Sequence, residues 1–70
     1  MMNLSKIYEA FGKLGLRIAE KKSIGIIAED DILLSIRILS ILLFFESPND
    51  ATDDEKNNIY SEGIRLINTI

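Results

Sequence analysis

The chain has 70 residues and contains no cysteine, no histidine and no tryptophan. Without cysteine there is neither a disulfide framework nor thiolate chemistry. Without cysteine and histidine there is no Cys/His zinc site and no Cys–His or Ser–His–Asp catalytic arrangement. Lack of cysteine also leans towards a reducing compartment, so a cytoplasmic location is expected. No apolar segment is long enough to cross a bilayer. The greasiest stretch, Ile32 to Phe45, covers 14 residues and includes Ser35, Arg37 and Ser40. At about 1.5 Å per residue it reaches about 21 Å, against a hydrocarbon core of about 30 Å. Extending it backwards brings in Glu29, Asp30 and Asp31, each costing roughly 2.5–3.5 kcal/mol near a bilayer centre. Neither a membrane span nor a signal peptide is expected, since Lys6, Glu9, Lys13 and Arg17 interrupt every apolar run near the start.

What is present is ample material for collapse. The chain is 47% hydrophobic and 27% charged, with net charge −3. That composition excludes intrinsic disorder, and the length allows one domain over residues 1–70. The periodicity predicts an all-α fold of three antiparallel helices, over about residues 4–22, 29–46 and 53–68.

In the first helix Leu4, Ile7, Tyr8, Phe11, Leu14, Gly15, Ile18 and Ala19 fall on one face, with Asn3 or Ser5 as candidate N-caps. Gly25 is a candidate terminator, and Ile24–Ala28 reads as a connector able to dock on the core, with a brief strand or an early turn of the second helix as the alternatives. The only proline, Pro48, disfavours helix at the residue before it, so the second helix should end near Glu46 or Ser47. Thr52 and Glu55 form a T-x-x-E capping box for the third helix. Ile59, Tyr60, Gly63, Ile64, Leu66, Ile67 and Ile70 give that helix an apolar face. The acids around it do not form a calcium loop: counted from Asp50, position six is not glycine and position twelve is not glutamate.

The second helix carries the most information. Ile32, Ile36, Leu39 and Leu43 step by 4, 3 and 4 along one seam, and Leu34, Ile38, Ile41 and Phe45 repeat those steps on the opposite side. A helix that is apolar nearly all round is expected to be buried nearly all round. Two short flanking helices can cover only one seam, which leads to the expectation of a homodimer joined through Leu34, Ile38, Ile41 and Phe45. Arg37, midway along, is expected to snorkel at the bundle edge.

Charge is segregated. Residues 1–22 carry net +3, whereas residues 23–48 and 49–70 each carry net −3. Lys6, Lys13, Arg17 and Lys21 make a basic stripe on the first helix, a candidate partner-binding surface. Nucleic acid is disfavoured as that partner. Four cations make few phosphate contacts, no base-reading set accompanies them, and Glu29-Asp30-Asp31 after Gly25 would oppose phosphate in a helix-turn-helix. No catalytic pair, metal site or cofactor site stands out, and an enzyme is not expected. The chain reads as a small soluble interaction module, a regulator, adaptor or inhibitor that dimerises and presents its outer surfaces to a larger protein.

Overall fold

Each helix boundary has a local chemical cause. The computed structural model describes residues 3–70, and all regular structure there is helical: α1 (Ser5–Ser23), α2 (Glu29–Glu46) and α3 (Asp53–Ile67). At the start of α1 the N-cap position is Leu4, which has no side-chain cap. Asn3 substitutes from one residue earlier, its Oδ1 accepting from the Ser5 backbone N–H at 3.0 Å and the Ser5 hydroxyl at 2.6 Å. The end of α1 is a Schellman motif. Gly25 takes φ +81°, a left-handed conformation that a Cβ disfavours. The Ile26 and Gly25 N–H groups then donate to the carbonyls of Lys21 (2.8 Å) and Lys22 (3.0 Å). α2 ends where Ser47 turns extended ahead of Pro48. α3 opens with the full capping box: the Glu55 N–H donates to Thr52 Oγ1 at 3.2 Å, and the Thr52 N–H donates to Glu55 Oε1 at 3.3 Å.

The core is formed by Ile7 and Leu14 of α1, Ile38, Ile41 and Leu42 of α2, and Leu66 of α3. Leu34, Phe45, Phe11, Ile59 and Ile64 pack around it. The end of α1 meets the start of α2 through Arg17, Lys21 and Asp31. At the other end the Tyr60 hydroxyl of α3 donates to the Asn3 carbonyl at 3.1 Å. The last residues of α3 lie beside Lys6 to Lys13, so α3 accompanies only the first half of α1. The molecule is accordingly elongated, 44 × 20 × 16 Å.

Three expectations are corrected. Leu34, Ile38, Ile41 and Phe45, expected at a dimer interface, pack within the chain's own core, with Ile38 fully buried. The reason is Gly63: a Cβ there would lie 3.0 Å from Ile7 Cδ1 and 3.5 Å from Ile41 Cγ2, so its absence lets α3 settle against both other helices. On α1 the buried strip is Ile7, Ala10 and Leu14, while Tyr8, Gly15 and Ala19 are exposed, because α3 lies on the Ala10 side. The Ile24–Ala28 connector does not dock on the core beyond Ala28. The turn that closes α1 sends Ile24 and Ile27 outwards, 72% and 75% exposed.

Two substitutions test these devices. Thr52→Ala removes the cap acceptor and is expected to cost about 1 kcal/mol in chemical denaturation. Gly63→Leu must displace Ile7 and Ile41, and overpacking of this kind is expected to cost at least about 1–3 kcal/mol despite leucine's better helix propensity.

Candidate interaction surface

With Leu34, Ile38, Ile41 and Phe45 turned inwards, the other seam of α2 faces outwards. Ile32, Ile36, Leu39 and Leu43 are 37%, 54%, 41% and 56% exposed, and Leu33 beside them is 58% exposed. These are large side chains on a regular helix, placed there by the 4-3-4 spacing and not by a loop. The polar residues within this surface are muted. The Ser35 hydroxyl donates to the Ile32 carbonyl at 2.7 Å, and that of Ser40 to the Ile36 carbonyl at 3.0 Å. Both serines are satisfied by their own helix, which leaves an uncharged apolar strip about three helical turns long in a molecule otherwise rich in charge.

The basic stripe is not a continuous free surface. Arg17 Nη2 lies 2.6 Å from Asp31 Oδ1, and Lys21 Nζ lies 2.9 Å from Asp31 Oδ2. Asp31 is only 5% exposed, and a buried carboxylate requires such partners. Lys13 pairs with Glu9 at 3.4 Å on the surface, and Lys6 is exposed. Two of the four cations are therefore committed to holding α1 on α2. Sequence reasoning placed Asp31 only among the acids at the start of the second helix and missed this clasp. The available signal was an i, i+4 pair of cations followed, after a short connector, by an acid in the first turn of the next helix. Arg37 is exposed, as expected, and stands near enough to Glu62 to help hold that carboxyl below its usual range, behind the larger effect of Arg65.

The concavities are open. A cleft of about 340 Å³ lies between α1 and the end of α3, lined by Lys6, Glu9, Ala10, Lys13, Ile67, Asn68 and Ile70. It gathers no nucleophile–base pair. Among the described residues no cluster of three or more acids is placed to hold a metal ion. No helix among them is long and apolar enough to cross a membrane. Comparison of the chain with protein-family models, with curated proteins and with solved structures finds no match.

The clasp has a pH signature. Hydrogen bonds from Lys21 and then Arg17 hold the Asp31 carboxyl below its ordinary range. A lowered folded pKa means that the stabilisation is complete above the unfolded value, about 3.9, and is lost as pH falls through the folded value. The melting temperature is therefore expected to fall on acidification below about pH 4. Asp31→Asn is expected to melt lower at neutral pH and to show a flatter acid limb. An unchanged acid limb in that variant would locate the dependence elsewhere.

Proposed function

We propose that the chain is a protein–protein interaction module: three antiparallel helices that self-associate as a homodimer through α2 and present their remaining surface to a larger protein. The observation that carries this reading is the exposed seam Ile32, Ile36, Leu39 and Leu43. Full burial of a leucine or isoleucine is worth roughly 1.5–3 kcal/mol. Four such residues left about half in water forgo several kcal/mol, which a covering surface would recover. A contiguous apolar strip on a regular helix with a polar surround is the usual mark of an interaction site. A binding role also suits a chain without histidine or cysteine whose cleft between α1 and the end of α3 is open. The homodimer retains the self-association inferred from the apolar girth of α2 and moves it to the opposite seam.

Nucleic acid is the weaker reading. Phosphates would have to compete with Asp31 for Arg17 and Lys21, and the chain as a whole is acidic. For a larger protein partner, the surfaces left after dimerisation include the acidic start of α3, at Asp53, Asp54 and Glu55.

Light scattering on a sizing column tests the reading. The wild-type chain is expected to run at twice its 7.9 kDa mass. Ile36→Glu with Leu39→Glu is expected to give a folded monomer, because both positions are exposed within one chain. Ile38→Glu with Ile41→Glu is expected to unfold the chain, because both are core. A wild-type chain that stays monomeric at millimolar concentration would end the homodimer reading.

A further inference from the structure

The α2 seam is one half of a larger open face. α3 packs against the side of α1 that carries Ile7 and Ala10 and the side of α2 that carries Ile41, so the opposite side of both helices is bare. On that side α1 presents Tyr8, Gly12, Gly15 and Ala19, which step by 4, 3 and 4, the same steps as Ile32, Ile36, Leu39 and Leu43. Both stripes span eleven residue steps, about 16 Å of helix. They run side by side at one level: the carboxylate of Glu46, just past the end of the α2 seam, stands close enough to Tyr8 to raise its phenol above the usual value.

The glycines of this stripe have no explanation inside the chain. A methyl group at Gly12 or Gly15 would meet nothing within 4 Å, and neither residue has a left-handed φ. Both sit inside a helix, where glycine is among the poorest residues. What they create is a shallow channel along α1 beside the raised apolar ridge on α2. Neither stripe contains a charged residue.

We propose that a second copy of this chain covers this face, the α2 ridge of each copy lying in the Gly12–Gly15 channel of the other. This deepens the homodimer reading and rests on it. The two-fold pairing is self-complementary, ridge to channel twice over, as an isologous interface requires. It brings no like charges together at its centre, whereas a charged partner would find nothing there to pair with. The area suffices. A face about 27 Å long, the length of α2 at about 1.5 Å per residue, and two helix diameters, about 20 Å, across covers about 500 Å² per copy. The pair thus buries about 1,000 Å², the size at which specific interfaces begin.

The test uses the full chain. Gly12→Leu with Gly15→Leu fills the channel and is expected to weaken self-association at least about tenfold in sedimentation equilibrium, with helical circular dichroism at or above wild type. The natural absence of cysteine permits a second measurement on single-cysteine variants. Gly15→Cys mixed with Leu39→Cys is expected to give the mixed disulfide on mild oxidation, in preference to either self-disulfide. Three results overturn the proposal, and they are distinguishable. A wild-type chain monomeric at all concentrations removes the dimer itself. Unimpaired association of the double-leucine variant, with Ile36→Glu/Leu39→Glu monomeric, leaves the dimer standing but empties the channel. A Leu39→Cys chain that crosslinks mainly to itself replaces the ridge-in-channel contact with α2 against α2.

Discussion

α2 is apolar nearly all round its circumference, and the chain has only two other helices with which to cover it. α1 and α3 take adjoining sides of α2, not opposite ones, because they also pack on each other through Ile7 and Gly63. Three helices in mutual contact must leave each of them an outer side. For α1 and α3 that outer side is largely polar or small. For α2 it is Ile32, Ile36, Leu39 and Leu43. The core, the open face and the proposed association all follow from this one geometric shortage.

The two ends of the molecule are held by different chemistry. Where α3 reaches, closure is apolar and close-packed, with Gly63 as the notch into which Ile7 and Ile41 fit. Where α3 does not reach, α1 and α2 are closed by Arg17 and Lys21 on the nearly buried Asp31, directly above the turn at Gly25. A carboxylate with two cationic donors tolerates its burial because its lone pairs are occupied, and removing the donors would leave an uncompensated charge. The same clasp withdraws half of the basic stripe from any external partner, so structure and binding compete for those side chains.

The helix boundaries were legible because their determinants are local: Pro48 after α2, the Thr52–Glu55 box before α3, and Gly25 after α1. The roles of the two α2 seams were not. Leu34, Ile38, Ile41 and Phe45 have the same spacing and chemistry as Ile32, Ile36, Leu39 and Leu43, so periodicity alone cannot say which one the chain covers. That choice is made from outside the helix, by the side on which Gly63 admits α3. The α1 face was rotated for the same reason, with Ala10 drawn inwards and Tyr8, Gly15 and Ala19 left outside. The basic stripe misled because spacing along one helix shows which cations are neighbours, not which acid lies across the turn. Gly12 had no role in the apolar pattern of α1. It acquires one only when the exposed sides of two helices are considered as a single surface.

A domain of this length buries a modest core, and its stability is correspondingly sensitive to anything that binds the folded form alone. The open face exists only when α1 and α2 are side by side, because each helix supplies one of its two stripes: small residues on α1 and the apolar ridge on α2. Covering that face therefore draws on the folded state and not on the separate helices. Under the proposed pairing, association and folding are linked by mass action, and the helix-weakening glycines of α1 are tolerated because the contact they admit is made in the assembled form. The residues that look least favourable for a lone helix are then the ones that make its surface specific.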